Sequence, residues 1–126
     1  MATRYSRGRQ FEYKVRDDMA SHGFLTIRAP ASKTPVDVYC IGRREKVFVQ
    51  CKTNGVLGPR EWNKFWDYCS SVEAIPILAM RGPNNRGVRY MLLTGRKVAR
   101  GRQPMEEWKP IEGGRIEVQD VDGGRD

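Results

Sequence analysis

The stretch "TPVDVYCIGRREKVFVQCK", residues 34–52, contains two apolar, β-branched segments separated by Gly-Arg-Arg-Glu. Short apolar runs around a turn of this composition predict a β-hairpin. Three polar residues interrupt the apolar pattern: Asp37 in the first segment, and Gln50 and Lys52 in the second. Burial does not require an acid, an amide and a cation, so these positions point to a further role.

The predicted register brings the three polar residues together. A turn at residues 42–45 pairs Ile41 with Lys46 and, continuing outward, Asp37 with Gln50. Opposite residues have Cβ atoms about 4.5–5.5 Å apart, and Lys52 lies diagonal to Asp37 at about 7–8 Å. The opposite face of the hairpin is predicted to be apolar, with Val36, Val38, Cys40, Val47, Val49 and Cys51.

The chemistry of this cluster suits phosphate-ester hydrolysis. A carboxylate beside an amide oxygen offers hard ligands for Mg²⁺ or Mn²⁺. A nearby lysine can orient a nucleophilic water or neutralise charge on a phosphate. The alternative is a structural ion pair between Asp37 and Lys52, with Gln50 incidental.

Composition favours a nucleic-acid partner. The chain of 126 residues carries a formal charge of +8, and residues 111–126, with five acids and two bases, are locally acidic. A small basic body indicates binding to a polyanion, although a generic basic surface is the alternative. The polar N-terminal segment has no apolar core of a secretory signal, and no apolar run reaches the about 18 residues that span a bilayer. We therefore expect a cytoplasmic protein with no membrane partner.

The cysteine and histidine content argues against a zinc site. There are three cysteines in no zinc-like spacing and one histidine, His22. We expect the cysteines to be reduced core thiols.

The predicted order of elements is helix, three strands, helix, two strands, which indicates an α/β or α+β protein with a central mixed sheet flanked by helices. The first helix is expected from about Arg9 to Ser21, after a basic arm at residues 1–9, and the second from Pro59 to about Val72. Residues 94–104 can form a short helix, and Arg115–Gln119 a weak strand within an acidic, flexible tail. We predict one domain over residues 1–126.

Glu12 borders the apolar stripe of the first helix, formed by Phe11, Val15 and Met19. A carboxylate at such a border is either paired or functional. The two interpretations are an ion pair with Arg16, four residues on, and a ligand placed above the hairpin cluster.

Residues 5–70 resemble the archaeal-type Holliday junction resolvases of the PD-(D/E)xK nuclease superfamily. The resemblance rests on an ordered set of motifs: a helix with "FE" near its start, "GF…RAPAS", "PVDV" and "VQCK". It implies a restriction-endonuclease-like fold and a homodimer that nicks four-way DNA junctions symmetrically with Mg²⁺ or Mn²⁺. It also implies 5′-phosphate and 3′-hydroxyl products.

The resemblance also implies roles for individual residues. Metal ligands would be Asp37, Gln50, Glu12 and the backbone carbonyl of Cys51, with Lys52 beside the attacked phosphate. In the loop that follows the first strand, Arg28 would clamp a phosphate and Ser32 would position water. Backbone phosphates of DNA would be held by Arg7, Arg9, Lys33, Arg43 and Arg44.

Two departures from the family pattern bear on activity. The usual "PD" is "PVD" here, and Gln50 stands where the family has glutamate. Glutamine offers a neutral oxygen, so metal binding is expected to weaken or change preference. Three alternatives therefore stay open: a nuclease for other branched or duplex DNA, a catalytically silent DNA-binding module, and, ranked third, an RNA binder.

Overall fold

The computed structural model describes residues 4–29, 33–98 and 101–110, with side chains from residue 8 onward. Each of two helices is followed along the described chain by three strands. Their bounds are α1 Arg4–Ser21, β1 Leu25–Arg28, β2 Val38–Ile41, β3 Lys46–Cys51, α2 Pro59–Ser71, β4 Ile75–Arg81, β5 Val88–Leu93 and β6 Met105–Trp108, with a 3₁₀ turn at Pro83–Asn85 between β4 and β5.

The six strands form one mixed sheet whose spatial order is the order of the sequence, β1 to β6. Neighbouring strands are antiparallel except β3 and β4, which run parallel because α2 connects them as a crossover. β3 and β4 are buried on both faces, which explains their continuous apolar sequences. The predicted α+β class with a mixed central sheet is confirmed.

The helices cover opposite faces of the sheet. From α1, Phe11, Val15 and Met19 pack on the strand residues that point to one face, including Val47 and Val49. From α2, the aromatic side chains of Trp62 and Phe65 are fully buried with Leu78 and Leu93 on the other face.

The hairpin register matches the prediction within the strands but changes just before β2. Tyr39 pairs with Phe48 and Ile41 with Lys46, as expected. The Asp37 N–H, however, donates to the Val49 carbonyl at 2.9 Å, which is one residue out of register. Val36 consequently packs in the core beneath α2, so its predicted place on the face of Val38 is wrong.

Two further expectations about the elements are corrected. α1 begins at Arg4, so most of the predicted basic arm belongs to the helix. The segment before β6 forms no helix in its described part, and β6 itself was not predicted. The suggested strand at Arg115–Gln119 and the acidic tail lie outside the described residues.

The cysteines are free, as predicted. Cys40 and Cys69 are buried in opposite cores, and Cys51 is partly buried against the α1 side.

Candidate active site

Asp37 is fixed by hydrogen bonds where β2 begins. Its carbonyl accepts the Ala29 N–H at 2.8 Å, and its Oδ2 accepts the Cys51 N–H at 2.8 Å. These bonds tie the ends of β1 and β3 to Asp37 at the start of β2, the first through its backbone carbonyl and the second through its carboxyl group. The register changes by one residue at this point, and the polar side chain of Asp37 consequently lies where the ends of three strands meet.

Burial raises the pKa of Asp37 from 3.8 to about 6. The Cys51 N–H lowers it, the Glu12 carboxylate raises it, and Lys52 and Arg28 lower it less. Desolvation thus outweighs the favourable contacts, and the ionised carboxylate is under-compensated by the protein. A bound cation would supply the missing compensation.

Gln50 carries an unsatisfied acceptor. It lies on β3 beside Leu78 of β4, so it points toward the side of the sheet that α2 covers. Its Oε1 is buried and, within the described part of the chain, has no hydrogen-bond partner. A buried carbonyl oxygen without a partner destabilises the fold by about 1–3 kcal/mol, so such an atom calls for an explanation.

Lys52 follows β3 directly. Its backbone N–H donates to the Ala79 carbonyl at 2.9 Å, which extends the pairing with β4 by one bond. Its Nζ lies 3.6 Å from Oε2 of Glu61, on the first turn of α2. The ammonium group is half-buried and held near the carboxylates.

Asp37, Gln50 and Lys52 line one cavity of about 330 Å³ at the open end of the hairpin. The other lining residues come from α1, the loop before β2, β3 and α2: Glu12, Lys33, Thr34, Pro35, Cys51, Glu61 and Lys64. A second cavity of about 480 Å³ shares Glu12, Cys51 and Lys52 with it and adds Arg81. The two cavities together form a polar groove across the ends of the strands.

Glu12 lines both cavities, but its carboxylate already has a cationic partner. Arg28 Nη1 donates to Glu12 Oε1 at 2.8 Å, and both side chains are largely buried. The alternative pairing with Arg16 is wrong, because Arg16 contacts Asp17 instead. Arg28 therefore orients Glu12, and its guanidinium also lies over the Tyr13 ring at 4.7 Å.

The remaining predicted DNA contacts are spread over the molecule. Lys33 is exposed at the rim of the cavity. Arg43 and Arg44 are exposed in the hairpin turn, at the opposite end of the hairpin from Asp37. Arg9 is half-buried on α1, whereas the side chain of Arg7 and all of Ser32 lie outside the described residues.

Three lining residues were not anticipated from the sequence: Glu61, Lys64 and Arg81. The positions of Glu61 and Lys64 could have been inferred from the sequence. Only a short segment separates Lys52 from Pro59, so the first turns of a helix that begins at Pro59 lie near the end of β3. Arg81 could not be recognised from spacing, since it reaches the groove only through the pairing of β4 with β3. Its guanidinium lies 5.5 Å from the centre of the Phe11 ring.

The oxygen atoms that line the cavity suit a hard divalent cation, although acidic side chains do not surround it on all sides. Among the described residues, no three His, Cys, Asp or Glu side chains are grouped closely enough to hold a metal ion. The cavity instead offers the Asp37 carboxylate and the unsatisfied Gln50 oxygen, which are ligands of the kind that Mg²⁺ and Mn²⁺ prefer. The residues fit such an ion, because it would satisfy the orphan oxygen and compensate the buried carboxylate.

A larger cavity, of about 710 Å³, lies between the end of α1 and β5–β6. Its polar side chains already contact one another: Tyr90 donates to Asp18 at 2.7 Å, and Arg89 lies 3.9 Å from Glu107. Trp108 packs edge-on against Tyr90. This cavity is therefore larger than those of the groove, but the polar side chains named here already have partners, unlike Gln50 in the groove.

Comparison with known proteins supports the fold. The chain is similar to the 1.6 Å structure of Archaeoglobus fulgidus Hjc, a Holliday junction resolvase from an archaeal hyperthermophile, with a TM-score of 0.61. The match covers 94% of this chain and 97% of that chain at 18% sequence identity. No family model and no curated protein matches the sequence. None of the helices in the described residues combines the length and apolar character needed to cross a bilayer.

Proposed function

We propose that the chain is a metal-dependent endonuclease that resolves four-way DNA junctions by symmetric nicking. One observation carries the proposal: Asp37, the unsatisfied Gln50 oxygen and Lys52 meet in one cavity of a fold shared with a junction resolvase. The formal charge of +8 supplies the attraction to DNA that such an enzyme needs. Its work on DNA would take place in the cytoplasm.

Mg²⁺ or Mn²⁺ would be held by Asp37 and Gln50, with the Cys51 carbonyl and Glu12 as further ligands. When bound, such an ion polarises the phosphate and neutralises charge on the departing 3′ oxygen. Asp37 contributes a carboxylate whose oxygen is already positioned by the Cys51 N–H. Arg28 holds Glu12 in a fixed orientation at the edge of the same groove.

Lys52 would act on the attacked phosphate. Its backbone N–H is anchored to β4 and its ammonium group is restrained by Glu61, so the ammonium group can orient the attacking water and offset negative charge. The water oxygen forms a bond to phosphorus as the bond to the 3′ oxygen breaks. The products carry 5′-phosphate and 3′-hydroxyl ends.

The DNA backbone would be held along the groove and beyond it. Lys33 and Lys64 lie on one side of the site, and Arg81 lies on the other. More distant phosphates would be contacted by Arg9, Arg43 and Arg44. Contacts of this kind position the duplex arms without reading sequence, so the shape of the junction would determine the substrate.

Symmetric nicking requires two active sites, and the sheet offers a surface for a second copy. Leu25 and Ile27 on β1 are 61% and 54% exposed. They pair with Ile41 and Tyr39 of β2, which share their face on the side of the sheet that carries α2. We name these four residues the sheet-face patch. The strands β4 and β5 lie inside the sheet and supply core residues.

The sheet-face patch can be tested by sedimentation. Leu25→Lys with Ile27→Lys should convert a dimer into a folded monomer and reduce paired nicking to single nicks. Val98→Lys, at a residue 71% exposed but far from the patch in sequence, is the matched control. A variant that still sediments as a dimer would place the interface elsewhere.

The deciding experiment for the function compares a labelled four-way junction with a linear duplex of the same sequence, with and without Mg²⁺ or Mn²⁺. Paired nicks in the junction alone, dependent on metal, are the expected result. Asp37→Asn and Lys52→Ala should abolish cleavage but preserve junction binding. Equal cleavage of the linear duplex would instead favour a general duplex nuclease.

A second function, a catalytically silent DNA-binding module, is favoured by one observation. Gln50 stands where the resembled family has glutamate, so it offers a neutral oxygen in place of a charged carboxylate. Tight junction binding without any product in Mg²⁺ and in Mn²⁺ would support this alternative.

A further inference from the structure

The groove is short of negative charge for a divalent cation. Of the residues expected to hold the ion, Gln50 is neutral and the carboxylate of Glu12 is paired with Arg28 at 2.8 Å. Asp37 is the other carboxylate of this set, and its Oδ2 accepts the Cys51 N–H at 2.8 Å. Affinity for hard cations depends on the number of charged ligands, so a further carboxylate would strengthen the site.

Glu61 is the remaining carboxylate that lines the same cavity. It lies on the first turn of α2, where side chains point back toward the start of the helix and hence toward the segment that follows Lys52. Its Oε2 is 3.6 Å from Lys52 Nζ, and 55% of its side chain is exposed. The carboxylate is therefore close to the site and has room to change rotamer.

The backbone that carries Glu61 is held firmly. The next residue, Trp62, is fully buried and donates from its indole nitrogen to the Gly95 carbonyl at 2.8 Å. Asn63 exchanges two hydrogen bonds with the backbone of Lys97, at 2.7 and 2.9 Å. The start of α2 is thus attached to the β5–β6 connection, so a change of the Glu61 rotamer would leave the helix in place.

We propose that Glu61 supplies the second carboxylate of the cation site and takes the place of the acid that is missing at Gln50. The inference rests on the proposed metal-dependent function and identifies which side chain completes it. In the metal-free chain Glu61 contacts Lys52, and in the loaded chain it shares its carboxylate with the cation. Lys52 is then less restrained and available to the phosphate.

The test measures cation affinity directly, by calorimetric titration of the full chain with Mn²⁺ and with Mg²⁺ in the absence of DNA. Glu61→Gln should weaken binding by at least about 10-fold, since the loss even of a group that only supports a metal ligand typically costs about 10- to 100-fold in affinity. Gln50→Glu in the Glu61→Gln background should restore binding to near the wild-type value. Glu106→Gln, an exposed acid on β6, should leave it unchanged.

The outcomes separate this inference from the function on which it rests. If Glu61→Gln binds cations like the wild type while Asp37→Asn does not, the role of Glu61 is refuted and the metal site stands. If Asp37→Asn also binds like the wild type, the proposed metal site itself fails. If Gln50→Glu does not rescue Glu61→Gln, the two positions do not substitute for each other, and the inference is again wrong.

Discussion

Replacing Asp37 with asparagine should stabilise the metal-free protein at neutral pH. The pKa of this carboxyl is raised from 3.8 to about 6, chiefly by burial. Since one pKa unit corresponds to about 1.4 kcal/mol, the ionised carboxylate destabilises the native state by about 3 kcal/mol at pH 7.5. Asparagine avoids this penalty but accepts the Cys51 N–H less strongly, so we expect a net gain of about 2 kcal/mol.

The pH dependence follows from the same shift. Between about pH 4 and pH 6 the native wild type keeps a proton that the unfolded chain has lost, so its free energy of unfolding falls as pH rises. Asparagine cannot titrate and removes this contribution. The advantage of Asp37→Asn should therefore be full above about pH 7 and should vanish near pH 4.

Urea unfolding in a chelator, at several pH values, measures both effects. Asp17→Asn, at an exposed carboxylate, is the matched control and should differ little from the wild type at any pH. With added Mg²⁺ the wild type should become more stable than Asp37→Asn. A ligand that binds only the native state raises the free energy of unfolding of the protein that binds it, here the wild type and not the variant. An Asp37→Asn protein that is no more stable than the wild type at pH 7.5 would refute the argument that desolvation dominates at this site.

Three substitutions test the framework around the groove by thermal or urea unfolding. Gly55→Ala should destabilise the fold by about 1–2 kcal/mol, because Gly55 has φ of +74° and an added Cβ would lie 2.8 Å from the Met80 sulfur; an unchanged stability would show that the loop adapts. Trp62→Phe removes the hydrogen bond to Gly95 and leaves a cavity, so a loss of about 2–4 kcal/mol is expected, with weaker cleavage. Tyr90→Phe removes one hydrogen bond to α1 and should reduce stability by about 1 kcal/mol without affecting cleavage, since it lies outside the groove.

The hairpin was predictable because its register depends on local information. A turn of four residues and strict alternation place Tyr39 opposite Phe48, as observed. The prediction failed at Val36, where the hydrogen bond from Asp37 to Val49 shifts the register by one residue. Both sides of the sheet here are apolar cores, so hydrophobicity alone did not show which face Val36 would choose.

The site residues that the sequence did not predict are brought together by contacts between elements that lie far apart in the sequence. Arg81 enters the groove because β4 lies parallel to β3, and Glu61 enters because α2 packs back over the sheet. The pairing of Glu12 with Arg28 joins α1 to β1 across sixteen positions of sequence, beyond the reach of helical spacing rules. β6 was missed since Met105–Trp108 has two acids in four residues and resembles a loop.

Cys40 and Cys69 are shielded from alkylating reagents by the way the sheet is covered, and Cys51 is partly buried. Burial raises the pKa of Cys40 and of Cys69 to about 12, and burial with nearby acids raises that of Cys51 well above its usual range. Maleimides react with the thiolate, so the native cysteines should label slowly. A cysteine introduced at Arg44, in the exposed hairpin turn, would then accept a fluorophore selectively, and distances across a complex could be followed without first removing the natural thiols.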